Sequence, residues 1–237
     1  MSSLLEVLGL TFRYPRAKAP ALVDFQMSLE PGARCLLVGR NGAGKSTLLH
    51  VLAGRHLVPE EKVRVLGRPA FHDTSLAHEV TFLGGPFQFD VDIPVADILA
   101  NTPGVDAARR DRLIEVLGVD TGWHMHRVSD GQRRRVQILL GLLRPSRLLL
   151  LDEITTDLDL LARIDLLTLL KDECEQRGSA ILYATHIFDA LEDWATHVAL
   201  LEAGRLLHLD RIEALPLRDL PLHRLVERWL RDPLGSR

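Results

Sequence analysis

Up to about residue 35 the chain alternates apolar and polar positions, at Leu4–Leu10 and Phe25–Leu29, with breaks at Pro15, Pro20 and Pro31-Gly32. A period of two between turn residues predicts antiparallel strands and hairpins. Cys35–Val38 is a short apolar run leading into a glycine-rich stretch, and Ser46–Ala53 then has helical spacing. Lys62–Leu66 and Val80–Leu83 read as further strands. From about Pro94 to Leu143 the spacing lengthens to three or four, as at Leu113, Ile114, Val116 and Leu117, which predicts helices. Leu148–Leu151 is wholly apolar, as expected of a parallel strand buried on both faces, and ends at Asp152-Glu153. Leu158–Gln176 predicts a long amphipathic helix closed by Gly178. Ala180–Ala184 is another buried strand, and Val198–Leu201 with Leu206–Leu209 form a closing pair around Gly204. In Leu217–Leu230, Leu220, Leu222, Leu225, Val226, Trp229 and Leu230 stand among charges, which predicts an amphipathic helix packed on the same domain.

No repeat, low-complexity tract or long linker interrupts the 237 residues, so one α/β domain with a small inserted subdomain is expected. Apolar residues at 46% and charged residues at 26% argue against extended disorder. A net charge of −3 offers no strong pull toward nucleic acid or anionic lipid. MSSLLEVLGL lacks the basic start and cleavage site of a signal peptide, and no apolar run reaches the ~18–20 residues of a membrane span. The expectation is a soluble, cytoplasmic protein, held at a membrane only through a partner. Cys35 and Cys174 fit a reduced compartment, and neither has a partner at metal-ligand spacing.

Gly39-Arg40-Asn41-Gly42-Ala43-Gly44-Lys45-Ser46-Thr47 matches G-x-x-x-x-G-K-[ST]. Glycines let backbone N–H groups converge on phosphate oxygens beside the positive end of the next helix. Lys45 would supply a charge for the β- and γ-phosphates, and the Ser46 hydroxyl a Mg²⁺ ligand. Lysines stand only at positions 18, 45, 62 and 171, so a chance match is rare. Strand and helix flanks complete the context that the motif needs. In RLLLLDE, Arg147–Glu153, two carboxylates close a buried strand, where open α/β sheets build their sites. There Asp152 would hold Mg²⁺ and Glu153 would act as general base toward water.

VSDGQ at Val128–Gln132 opens a helix with Ser129 and Asp130 as capping candidates, and its small residues suit an anion. In isolation it reads better as an ordinary capped helix with an arginine-rich solvated face. Arg133–Arg135 lacks the aromatic interleaving of a nucleic-acid surface, so no direct nucleic-acid binding is expected. His186 follows the strand Ala180–Ala184 and so sits at a carboxyl end, within reach of a γ-phosphate. Tyr14 is placed to stack on a nucleobase or to serve as a loop or core aromatic.

Taken in order, the phosphate loop, VSDGQ, LLLLDE and the late histidine resemble the ATP-binding cassette (ABC) family along essentially the whole chain. The resemblance implies an α/β fold: a P-loop NTPase core with an antiparallel β subdomain and a helical signature subdomain. It makes residues 1–237 one cassette, with the helical subdomain over about 86–143 and a C-terminal helical extension over about 211–237. It implies that Gly39–Thr47 is the Walker A loop, Ser129, Asp130, Gly131 and Gln132 lie in the signature, and Leu148–Asp152 is Walker B. Ser46 and Asp152 would then serve the metal, Glu153 would be the catalytic carboxylate and His186 the switch histidine. Thr156–Asp159 would be the D-loop and Tyr14 the adenine-stacking aromatic. In that family cassettes face head to tail, so the resemblance implies that Ser129 and Gly131 would contact the γ-phosphate of ATP held, with its Mg²⁺, by a second copy or a related cassette.

VSDGQRRRVQ, LLLLDEITTDLDLLARIDLL and YATHIFDALEDWATH further resemble the small soluble I-type cassettes outside the transporters. That group includes plant proteins and a yeast factor associated with a transcription-regulatory complex. Four departures stand out. The signature has Val128 and Asp130 where LSGGQ is usual, and Asp130 puts negative charge near a triphosphate. Ile154 stands in place of proline, and the D-loop reads TDLD rather than SALD. The glutamine expected after Val80–Leu83 is missing from FLGGPFQFD, with Gln88 a later substitute. In transporters that glutamine links Mg²⁺ and the attacking water to the membrane-domain contact. Its absence favours a soluble ATP-driven switch acting on a protein partner over the alternative, the ATP-binding subunit of a membrane transporter. Intact Lys45, Asp152, Glu153 and His186 argue against a module that only binds.

Overall fold

The computed structural model describes residues 3–87, 92–188, 190–217 and 220–232. Its strands are β1 (Leu5–Phe12), β2 (Leu22–Leu29), β3 (Arg34–Gly39), β4 (Val63–Val65), β5 (Arg68–Pro69), β6 (Val80–Leu83), β7 (Leu148–Asp152), β8 (Ala180–Ala184), β9 (His197–Glu202) and β10 (Arg205–Arg211). Its α-helices are α1 (Lys45–Leu52), α2 (Val95–Ala100), α3 (Ala107–Leu117), α4 (Asp130–Leu142), α5 (Leu160–Arg177) and α6 (Leu222–Arg231).

The alternating N-terminal segments form an antiparallel sheet in the order β2-β1-β4-β5, with Leu5 opposite Leu29 and Phe12 opposite Leu22. Along β2, Leu22, Phe25, Met27 and Leu29 point inward while Asp24, Gln26 and Ser28 face water. The apolar runs build a second sheet in the order β10-β9-β3-β8-β7-β6, parallel except for its edge strand β10. On β7, Leu149 and Leu151 belong to the core shared with the helices, and Leu148 and Leu150 to the core shared with the antiparallel sheet. Each such leucine contributes roughly 1.5–3 kcal/mol by leaving water. The wholly apolar sequence of β7 is thus what two buried faces require.

Register brings the strands' carboxyl ends together. Asp152 on β7 lies opposite Ala184 on β8, while β3 runs parallel to β8 and ends at Gly39, opposite Leu201 on β9. That edge is where open α/β sheets bind ligands.

Two helices begin later than their apolar spacing suggests. α5 starts at Leu160 because the Asp159 carboxylate caps it, accepting from Ala162 N at 3.0 Å. α6 starts at Leu222 rather than Leu217 because Pro221 is extended, at φ −53° and ψ 149°. Leu222 N there donates to Glu192 Oε2 at 2.9 Å, and Trp229 stacks on His208 with ring centroids 4.8 Å apart.

Candidate nucleotide-binding site

β3 runs directly into the glycine loop, and α1 leaves it. Gly39 approaches β9 so closely that a Cβ would lie 2.4 Å from the Leu201 carbonyl oxygen. Gly44 combines a φ of +109° with a Cβ position 2.7 Å from Ala21 O, so only glycine fits without strain. α1 has no side-chain cap and no acid in its first turn, which leaves its first N–H groups available to an anion. Lys45 Nζ donates to Gly39 O at 2.7 Å and Arg40 O at 3.2 Å, holding the loop in shape. Burial lowers the Lys45 pKa, and the nearby Glu153 and Asp152 carboxylates pull it back up.

The ends of β7 and β8 supply the opposing charge. Glu153 adopts a left-handed φ of +52°, unusual outside glycine, and is fixed there as its N–H donates to Ala184 O at 2.9 Å. Its Oε2 lies 2.9 Å from His186 Nδ1. The neighbouring Thr185 is buried and accepts from Ile187 N at 3.1 Å, pinning the turn that carries His186. Asn41, Gly42, Gly44, Lys45, Ser46, Thr47, Asp152 and Glu153 line one cleft of about 330 Å³ with Ala21. Gly39, Arg40 and Ala43 build the loop without lining the cleft. Arg40 instead donates from Nε to Leu230 O at 3.2 Å, at the end of α6.

Ser129 caps α4 in a two-way exchange: Gln132 N donates to Ser129 Oγ at 3.2 Å, and Ser129 N to Gln132 Oε1 at 2.9 Å. Asp130 is exposed in the first turn. A Cβ on Gly131 would lie 3.3 Å from Asp157 O, so the helix start abuts the segment that follows β7. None of these four residues lines the Lys45 cleft.

The family model described as ABC transporter matches residues 22–156, from β2 through the glycine loop and α4 to the end of β7. The chain belongs to the ABC transporter family. ABC transporter I family member 20 of Arabidopsis thaliana is 47% identical over 97% of this chain and 76% of its own length. CCR4-associated factor 16 of Saccharomyces cerevisiae is 40% identical over 85% of this chain and 76% of its own length. Both agree with the I-type resemblance read from the motifs. An ATP-binding subunit of an ABC transporter superposes with a TM-score of 0.78 at 24% identity, over 97% of this chain and 99% of that one. A dimeric, post-hydrolysis ATP-binding cassette bound to ADP and Pi gives 0.71 at 19% identity, over 89% and 100%. At those identities the likeness is one of fold, and it is the ABC cassette fold.

In this cassette Tyr14 donates its hydroxyl to Thr47 Oγ1 at 3.2 Å, which sets it beside the glycine loop. Its ring meets Phe12 and His56 edge-on at centroid distances of 5.1 Å each, a packed arrangement that the loop-or-core reading also describes. Among the described residues no cluster of three or more His, Cys, Asp or Glu side chains forms a metal cage. One carboxylate, Asp152, and one hydroxyl, Ser46, on the same cleft suit Mg²⁺, which takes few protein oxygens and completes its shell with phosphate and water. Gln88 lies outside the described residues. No helix among them is long and apolar enough to cross a membrane.

The arginines of α4 do more than the sequence pattern suggests. Arg134 and Arg135 do not form a solvated face: their side chains are only 18% and 21% exposed. Arg135 reaches Asp159 Oδ2 at 2.6 Å and Leu117 O at 2.9 Å, while Arg134 reaches Asp157 and Gly85.

Proposed function

We propose that this cassette binds and hydrolyses Mg-ATP at a head-to-tail interface between two copies, as a soluble, cytoplasmic switch acting on a protein partner. The observation that carries this reading is the convergence of Lys45, Ser46, Asp152 and Glu153 on one cleft. The loop N–H groups and Lys45 bind the triphosphate. Ser46 and Asp152 would hold Mg²⁺, which when bound neutralises phosphate charge. Tyr14 borders the adenine. Glu153 orients a water and takes its proton as the oxygen attacks the γ-phosphorus; the bond to the β-bridging oxygen breaks, leaving ADP and phosphate. His186 rests on Glu153, and in the ATP state it turns to the γ-phosphate. Ser129 and Gly131, carried on the helical unit of about 86–143, meet that phosphate from the second copy. Asp130 there opposes closure by its charge.

Glu153→Gln keeps the shape and removes the base. Steady-state phosphate release should fall by about 10²–10⁴, while Mg-ATP binding persists and a dimer accumulates on size exclusion. Undiminished hydrolysis would show that Glu153 is not the base. Affinity capture with ATP-trapped Glu153→Gln protein then reads the partner. A soluble protein supports the switch, and a multi-span membrane protein supports a transporter subunit, the kind of protein that one fold neighbour is.

A further inference from the structure

Arg134 joins three segments that the sequence keeps far apart. It projects from the second turn of α4, and its side chain is largely enclosed. Nη1 donates to Gly85 O at 3.0 Å, in the loop after β6, and to Gln137 Oε1 at 2.7 Å on its own helix. Nε faces Asp157 Oδ2 at 3.5 Å, in the segment after β7. Both outer partners lead back to the cleft. Asp157 follows Glu153 by four residues in the chain. Gly85 follows Gly84, which packs so tightly on Asp152 that a Cβ there would come within 2.6 Å of Asp152 Cβ and 3.1 Å of Asp152 O. A movement of Asp152 or Glu153 therefore reaches α4 by two short routes that end on one guanidinium. These contacts fall at two of the chain's departures from its family: Asp157 in the D-loop, and the Gly84-Gly85 pair in the loop that lacks the glutamine.

We propose that Arg134 is a positioning residue that ties both segments to the start of α4, so that nucleotide in this chain's own cleft sets the Ser129–Gln132 turn offered to a second copy. The proposal rests on the ATP-dependent dimer described above. A planar guanidinium suits the task because its donors point in fixed, divergent directions. A lysine amine occupies one point and cannot hold both the Gly85 carbonyl and the Asp157 carboxylate. An arginine that only stapled α4 in place would affect stability and nothing else.

The test compares the full-length wild type with Arg134→Gln, Arg134→Lys and Asp157→Asn. Three readouts are taken: titration with a fluorescent ATP analogue, steady-state hydrolysis against ATP concentration, and thermal melting. In the wild type, two composite sites should give a Hill coefficient approaching about two. Arg134→Gln should bind the analogue normally at Lys45, while kcat falls about tenfold and the Hill coefficient drops to about one. Arg134→Lys should recover melting temperature without recovering cooperativity. Asp157→Asn should act in the same direction, and its combination with Arg134→Gln should be no worse than Arg134→Gln alone. Unchanged cooperativity and kcat in Arg134→Gln would overturn the coupling, as would losses that follow melting temperature alone. Non-cooperative hydrolysis by a monomeric wild type would instead overturn the dimer reading, and the coupling with it.

Discussion

Two parts of this cassette hold their functional residues in opposite ways. The Lys45 cleft is made of backbone: Gly39 and Gly44 occupy positions that no side chain fits, and Lys45 spends its ammonium on Gly39 O and Arg40 O. The start of α4 is instead tied down by its own side chains, with Arg134 reaching Asp157 and the Gly85 carbonyl and Arg135 reaching Asp159. Further along, Arg109 on α3 donates to Leu142 O at 2.7 Å and pairs with the buried Glu173 of α5. A backbone cradle stays rigid while its ligand comes and goes. A unit tied by guanidinium contacts can shift as a body when one contact is exchanged, which suits a surface that must close on a second copy.

The rigidity of the backbone cradle is most open to challenge at Gly44. Gly44→Ala places a methyl against Ala21 O and Leu22 at a φ of +109°. Calorimetric titration should show ATP affinity falling by about 100-fold, consistent with roughly 3 kcal/mol of clash and backbone strain. Normal affinity would mean that the loop is softer than its contacts imply. A smaller, opposite failure is expected from Arg109→Met. Removing this partner leaves Glu173 largely buried with only the partly exposed Arg177, 3.4 Å away. Urea unfolding should report a loss of about 2–3 kcal/mol, with nucleotide binding to the folded protein unchanged. A matching loss of affinity would mean that the helices and the cleft form one mechanical unit even without ligand.

The same contrast explains what the sequence made readable. The glycine loop is contiguous, so its residues, spacing and flanking strand and helix all appear within a few turns of chain. β7 announces itself by four leucines before two acids, and its register with β8 brings Glu153 to His186. VSDGQ disclosed Ser129 as a capping candidate because capping is local, while the other candidate, Asp130, lies in the first turn and Gln132 completes the exchange. The Arg134 contacts were not legible, since Asp157 and Gly85 lie 23 and 49 residues away and no local pattern pairs them. Arg40 read as a phosphate-loop residue, yet its guanidinium is taken by Leu230 O, 190 residues on. The two-residue strand β5 is too short to carry any periodicity. Three arginines in a row look like a solvated face until the fold places carboxylates beside two of them, Arg134 and Arg135.

The central claim is that one ATP is gripped by the cleft of one copy and the signature of another, and mixing two inactive variants tests it most directly. Lys45→Ala disables the cleft, and Ser129→Arg blocks the signature turn. Each alone should hydrolyse negligible ATP. In a mixed dimer, the intact cleft of the Ser129→Arg copy meets the intact signature of the Lys45→Ala copy. An equimolar mixture should therefore release phosphate well above either variant alone. About a quarter of wild type is the ceiling, because about half the dimers are mixed and each has one complete site. The release falls below that ceiling because the disabled cleft of the Lys45→Ala copy leaves its signature turn unset. If the mixture releases no more phosphate than the two variants measured apart, the site is not shared between copies and the account is contradicted.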